Sequence, residues 1–414
     1  MTKLKRFVRS KENLTKIMTD YFLGNHAWAA EGTPVVWIAV NAPIEILKGF
    51  DLVVVAPENH SAVCAARGIG GRLAEEAEGM GFSMDLCSYA RIDIGSFFGD
   101  ADSGGMGLPR PSLLVSDNNN CTLLVKWFDV YRREISVPHF VMDVPFCYGP
   151  QQTKDVDYMV SQFSDLIDLV SRVTGQRFDI EKTRAALAYT DEANRQWKRF
   201  YDLAKTRPSA ITAFDTFVHM APYVVYRGTK TLVDHFTMLA DEAEEQLAAG
   251  IYPVPGEKYR LLWDNIAPWH QLRAMSTRLS DLSANIIYAT YTSCIGSAEG
   301  QIDAIELIDP DPLRNVARMQ NFTICSYGLD LRFQAMARLI ERYGIDGVVF
   351  SSNRSCKVYS VMQMDLMRRV KDAYGIPTVM VDVDHADVRK YSEETFFVRL
   401  EALLEQIEGQ KRAH

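Results

Sequence analysis

The chain has 414 residues, 47% of them hydrophobic and 24% charged, with a formal net charge of −8 and a pI near 5.6. That length exceeds one ordinary core and gives an expectation of about two to three domains. The acidic balance argues against nucleic acid or an anionic membrane surface as the main partner. No apolar run approaches the roughly 18 residues of a membrane span.

The N-terminus is basic (Lys3, Lys5, Arg6, Arg9, Lys11), but no apolar h-region follows, so no signal peptide is expected and a cytoplasmic location is. Seven cysteines in a large cytosolic chain fit metal binding or reduced thiols better than disulfides.

Residues 1–25 read as an amphipathic helix, with Leu14, Ile17, Met18 and Tyr21 at helical spacing. A strand over 35–40, a helix over 42–50 and a strand over 52–55 follow; after Pro57-Glu58-Asn59 a helix is expected to run towards Met80. A short helix starts near Leu86 or Cys87, and the Gly/Pro-rich stretch 104–111 is a loop. From 151 to 250 the pattern turns to long helical periodicity, over 156–173, 180–203 and 229–249. Strand signals return at 259–263, 285–288, 347–350 and 379–383, between helices at 329–343, 356–373 and 392–409. Strands separated by helices imply parallel sheets. The expected architecture is α/β: two flavodoxin/Rossmann-like doubly wound parallel-sheet domains (1–150 and 251–414) with a helical segment (151–250) between them.

Two stretches match. Leu113-Leu114-Val115-Ser116-Asp117-Asn118-Asn119-Asn120-Cys121 precedes one helix, and Val348-Val349-Phe350-Ser351-Ser352-Asn353-Arg354-Ser355-Cys356 precedes another. Later strands, opened by Val137-Pro138 and Ile376-Pro377, carry Asp143 and Asp382 at equivalent places. This reads as a duplicated α/β unit with a thiol at the same corner of each copy. A helix N-terminus favours thiolate, the nucleophilic and metal-binding form, and the carboxyl ends of parallel strands are where ligands collect. The bland alternative is that each cysteine is a small buried hydrophobe.

Other chemistry leaves no trace. The chain has no GxxxxGK[ST], no HExxH and no G-x-S-x-G, and Gly68-x-Gly70-Gly71 falls inside an expected helix. A thiolate cluster assembled from distant loops is the chemistry best supported, although composition does not choose iron over zinc.

At these residues the chain resembles the catalytic components of 2-hydroxyacyl-CoA dehydratases and benzoyl-CoA reductases. The resemblance rests on Pro57-Glu58-Asn59, Ser83-x-Asp85-Leu86-Cys87-Ser88-Tyr89-Ala90-Arg91, Asn118-x-x-Cys121 and Lys126-Trp127-Phe128. It continues in Arg227-Gly228-Thr229, Glu257-Lys258-Tyr259-Arg260 and Asn353-Arg354-Ser355-Cys356-Lys357. It implies two flavodoxin-like domains, a [4Fe–4S] cluster on Cys87, Cys121 and Cys356, and electrons from a separate ATP-hydrolysing iron–sulfur activator protein.

Three further cysteines, Cys64, Cys147 and Cys325, lie near the same corner, and Cys294 could exchange roles with Cys325. Six cysteines so placed are similar to the double-cubane branch of the family, a homodimer with an [8Fe–9S] cluster. The stretch Trp37-Ile38-Ala39-Val40-Asn41 lacks the hydroxyl side chain that the dehydratases carry there. The expected activity is therefore an iron–sulfur reductase of small molecules. The alternative is the single-cluster subunit of a 2-hydroxyacyl-CoA dehydratase or benzoyl-CoA reductase.

Arg91, Arg354 and Lys357 flank the cysteines and are candidates to balance cluster charge, or else ordinary ion-pair residues. Glu58 and His60 are candidate proton donors, with helix capping and surface exposure as their bland readings. Tyr89 and Tyr327 read as packing. Asp382, Asp384 and Asp387 with His385 look like a divalent-metal site but fit a loop at a strand end better.

Overall fold

A computed structural model of the chain describes residues 6–100, 107–119, 121–293, 307–321 and 324–413. Cys294 lies outside the described residues. The first sheet holds β1 (Val35–Ile38), β2 (Val53–Val55), β3 (Leu113–Asp117) and β4 (His139–Met142) in the order β2-β1-β3-β4. The second holds β5 (Tyr259–Asp264), β6 (Ala284–Ala289), β7 (Gly347–Asn353) and β8 (Thr378–Val383) in the order β6-β5-β7-β8. Every pairing is parallel, and the second order is the first advanced by four strands. Helices cover both faces, so β1 and β3 are buried along their whole length and read as unbroken apolar runs. The duplication is thus present in topology as well as in sequence.

The strand order reverses between β1 and β3, and again between β5 and β7. At such a switch point the connections leave in opposite directions, and a crevice opens beyond the carboxyl ends of the strands. Cys121 is the N-cap of the Thr122–Ile135 helix after β3, and Cys356 is the N-cap of the Lys357–Ser360 turn after β7. The cysteines therefore sit at equivalent switch points.

Helices Thr153–Thr174, Ile180–Asp202, Ala213–His219, Ala221–Tyr226 and Lys230–Ala248 lie between the sheets in the chain. Their ends follow local chemistry. The Asp179 carboxylate accepts from the N–H groups of Glu181 and Lys182, and Gly175 closes the preceding helix at φ 72°. The Val8–Ala30 helix joins this layer through Ser10 Oγ, which donates to Glu242 Oε2 at 2.7 Å.

Three expected helices differ. The 42–50 segment forms one turn, Ile44–Leu47, after Pro43. The helix expected from Pro57 towards Met80 breaks into Pro57–Ala66 and Gly70–Gly79, because Gly68 takes φ +79°, which glycine adopts at little cost. The 356–373 helix divides into Lys357–Ser360 and Gln363–Tyr374. There the buried Gln363 amide is drawn inward to donate to Asp264 Oδ2 at 2.8 Å.

Among the described residues, the two halves share no strand. One backbone link is the parallel bridge of Cys147 with Tyr327, in which Cys147 N–H donates to Ser326 O and Gly328 N–H to Cys147 O, both at 2.8 Å. Among the described residues, no helix is long and apolar enough to cross a membrane.

Candidate active site

Between the carboxyl edges of the two sheets lies a cavity of about 120 Å³. Cys87, Cys121, Cys325 and Cys356 line it together with Glu58 and His385. A second cavity of about 290 Å³ adjoins it, and Glu58, Tyr89, Met220 and Tyr291 line both. The wall between the cavities therefore carries a carboxyl group and two phenols.

Cys87 caps the Ser88–Phe98 helix, so all three cysteines matched by the resemblance stand at helix starts. The expected thiolate preference does not follow. Burial raises the Cys87 thiol well above its usual range, and the nearby Cys121 and Cys356 add to this; the N–H groups of Ala90 and Tyr89 oppose it and lose. Burial likewise raises Cys121 and pushes Cys356 to about 12. Desolvation outweighs the helix N-terminus, and these groups are neutral thiols at pH 7.

The other two cysteines of the six-residue set lie elsewhere. Cys64 is fully buried with Sγ 3.5 Å from His60 Nε2, and lines neither cavity. Cys147 packs with Tyr327 and Tyr359, a cluster that Cys325 and Cys356 also touch, and burial raises its thiol to about 11.

The iron–sulfur expectation is corrected here. Among the described residues, no group of three or more His, Cys, Asp or Glu side chains is placed to hold a metal ion. The donors do not fit a double-cubane [8Fe–9S] cluster, which needs Cys64 beside the others, nor a [4Fe–4S] cluster on Cys87, Cys121 and Cys356. The reading as an iron–sulfur reductase or oxidoreductase falls with its donor set.

Glu58 and His60 share the Pro57–Ala66 helix but face different surroundings. Glu58 Oε2 accepts from Val40 N–H at 2.8 Å, and burial pushes its pKa up to about 8 despite that bond. His60 points into the core, where Nδ1 is 3.1 Å from Asp93 Oδ1. Burial pulls its pKa down, but hydrogen bonds to Asp93 and Cys64 outweigh this and hold it near 9. The Tyr131 hydroxyl donates to the other Asp93 oxygen, and Trp127 Nε1–H donates to Tyr131 at 3.3 Å. Trp127 lines the smaller cavity, so this chain of bonds runs from the cavity wall to Cys64.

Arg91 is buried, between Asp387 at 2.9 Å and Glu78. It ties the first half to the loop after β8 rather than facing the cavity. Arg354 is exposed, 3.6 Å from Asp382, and Lys357 Nζ donates outside the cavity to Arg354 O at 2.7 Å.

His385 is the residue that sequence reasoning undervalued. Its Nδ1 is 3.2 Å from Asn353 Oδ1, and Asn353 Nδ2 donates to Ile266 O at 2.8 Å, which orients the amide with its oxygen towards the ring. Nδ1 therefore carries the proton, and Nε2 accepts from Ser88 Oγ at 3.0 Å, with Cys87 Sγ at 3.6 Å. Burial lowers its pKa to about 4, so the ring is neutral. Asp384 and Asp387 organise the loop around it: Asp384 Oδ1 accepts from the N–H groups of Ala386 and Asp387. The sequence signal was the Asp-rich run after β8; what it lacked was the partner, Ser88, 297 positions away.

Two parallel sheets of the same strand order, facing each other across an apolar cleft at their switch points, define a duplicated two-sheet α/β protein with one shared site. The chain belongs to the family described as "2-hydroxyglutaryl-CoA dehydratase, D-component", whose model matches residues 39–407. It is 34% identical over 384 residues to the (R)-phenyllactyl-CoA dehydratase alpha subunit of Clostridium sporogenes, covering 92% of this chain and 91% of that one. It is 31% identical over 392 residues to the (R)-2-hydroxyisocaproyl-CoA dehydratase alpha subunit of Clostridioides difficile, covering 92% of each. It is also 28% identical over 381 residues to one of the subunits of benzoyl-CoA reductase from Thauera aromatica, covering 89% of this chain and 87% of that one. These matches support the family as a whole and do not single out a double-cubane branch.

Proposed function

We propose that this chain is the substrate-handling subunit of a dehydratase that removes water from a small 2-hydroxyacyl-CoA thioester. The observation that carries the reading is Glu58, a carboxyl group held neutral up to about pH 8 in the wall of an apolar cleft at the switch points. Loss of water breaks the C2–O bond and takes a hydrogen from C3. A neutral carboxyl is the right group to protonate the departing hydroxyl, and the carboxylate it leaves is the right group to recover a proton from C3. The named activities of the relatives support this substrate class.

The C3 hydrogen of such a thioester is not acidified by the carbonyl, so proton transfer alone does not complete the reaction. In this proposal a separate ATP-hydrolysing activator protein lends one electron to the thioester carbonyl. The ketyl so formed expels the C2 hydroxyl as water with the Glu58 proton, and the radical left behind is acidic at C3 and returns a proton to Glu58. The electron is given back as the 2-enoyl thioester forms, so the reaction is redox-neutral. A second subunit stands beside this one, as the relatives' designation as alpha subunits supports.

Titration calorimetry of the purified chain with lactoyl-CoA and phenyllactyl-CoA tests the binding step. Formation of the 2-enoyl thioester with second subunit, activator and ATP tests turnover. Failure of every acyl-CoA thioester to bind overturns the reading.

A further inference from the structure

The larger cavity beyond Glu58 is walled mainly by apolar side chains from separate parts of the chain, with Thr15, Thr19 and the Asn59 amide as polar members. Leu14, Met18 and Phe22 come from the N-terminal helix, Phe217 from the Ala213–His219 helix, and Trp269 and Leu272 from the segment after β5. Phe22, Phe217 and Trp269 are buried. The lining cation, Arg67, is exposed at the end of the Pro57–Ala66 helix, and among the described residues no cation lies deep in the wall. Glu58 is shared with the smaller cavity, so a group reacting beside Glu58 has this space directly next to it.

We infer that the larger cavity receives the side chain of the acyl group, and that this chain selects an uncharged aryl or branched-alkyl side chain over a short or carboxylate-ended one. The inference rests on the proposed function, because it presumes that C2 of a 2-hydroxyacyl thioester lies at Glu58. Size and chemistry both point this way. An apolar cavity of about 150 Å³ suffices to bind benzene, and this one has about 290 Å³. A phenyl or isobutyl group would release water from apolar surface on entering it. A second carboxylate would lose its hydration beside Phe217 and Trp269, with the single amide of Asn59 and no buried cation to replace it. A methyl side chain would leave most of the space unfilled.

The test is equilibrium binding of four thioesters to the purified chain: phenyllactyl-CoA, 2-hydroxyisocaproyl-CoA, lactoyl-CoA and 2-hydroxyglutaryl-CoA, with free CoA as reference. The first two should bind at least about tenfold more tightly than the other two. Ala62 and Ala221 also line the cavity, and both are half-buried. Ala62→Phe or Ala221→Leu, which fill it, should shrink the ratio of phenyllactyl-CoA to lactoyl-CoA affinity at least about fivefold. Circular dichroism and thermal midpoints select whichever variant is folded. Equal binding of all four thioesters, tightest binding of the glutaryl thioester, or a ratio unmoved in a folded filled variant overturns the inference while the proposed function stands. If none of the four binds more tightly than free CoA, the proposed function fails and takes the inference with it.

Discussion

Glu58 Oε2 accepts a hydrogen bond from the backbone N–H of Val40 at 2.8 Å, and this contact fixes a carboxyl group from the helix after β2 against the loop after β1. The bond stabilises the carboxylate, yet burial wins and the group stays protonated to about pH 8. On the proposed function, Glu58→Gln should therefore lower dehydration about 10²–10⁴-fold. In the parent, activity should fall as pH rises through about 8, where the acid form is lost.

The same residue predicts a change in stability of opposite sign. Its folded pKa, about 8, lies above the usual 4.5, so the unfolded chain releases this proton while the folded chain keeps it. The folded state is disfavoured increasingly between pH 4.5 and 8. Glu58→Gln removes that burden. Urea midpoints should be nearly equal at pH 4 and higher for the variant at pH 8.

His60 and Asp93 form a pair in which each side chain is 1% exposed. Asp93→Asn leaves a buried imidazolium without its counter-charge and should cost about 3–5 kcal/mol in urea unfolding at pH 6. His60 is raised to about 9 from an ordinary 6.5, so the pair's contribution is full below 6.5 and is lost as pH rises through 9. The gap between parent and variant should narrow over that interval.

Asp387 behaves in the opposite sense. Burial pushes its pKa up, but hydrogen bonds from Arg389 and Arg91 prevail and hold it at about 2, below the usual 3.8. Its contribution is present above 3.8 and lost as pH falls towards 2. Asp387→Asn should raise the pH of the acid-unfolding midpoint. It should also loosen the contact between the halves, read as faster amide exchange in the Gly70–Gly79 and Ser88–Phe98 helices.

Gly95 sits inside the Ser88–Phe98 helix, where propensity alone favours alanine by about 1 kcal/mol. A Cβ there would lie 1.8 Å from the Leu73 carbonyl oxygen, so the two helices would have to separate. Gly95→Ala should destabilise the protein by more than about 2 kcal/mol, measured as a lowered urea midpoint with unchanged slope.

The strands were legible because helices cover both faces, and double burial writes itself as Val-, Ile- and Leu-rich runs such as 113–115 and 348–350. The corners at Cys121 and Cys356 were legible because a polar turn must separate each strand from its helix. The break at Gly68 was not, since helical periodicity in Ala and Glu continues across it and only the backbone angle reveals the turn. Protonation of the cysteines was hidden for a different reason. A helix start can be read from neighbours in the chain, whereas the surroundings of Cys87 include residues hundreds of positions away: Cys356, which adds electrostatically to the effect of burial, and His385, 3.6 Å from its sulfur. The six-cysteine set failed on the same point, because chain order does not tell which side of the Pro57–Ala66 helix Cys64 presents.

The Cys147–Tyr327 bridge is a backbone seam between two sheets that are otherwise separate ladders. Among the described residues the halves have no strand in common, so what joins them is this bridge, buried at both residues, together with core packing and side-chain contacts across the cleft. The side-chain contacts include Ser88 with His385, Arg91 with Asp387 and Arg389 with Glu78. A substitution that removes one of these contacts acts on the seam between the halves and leaves the hydrogen-bond ladder of each sheet intact.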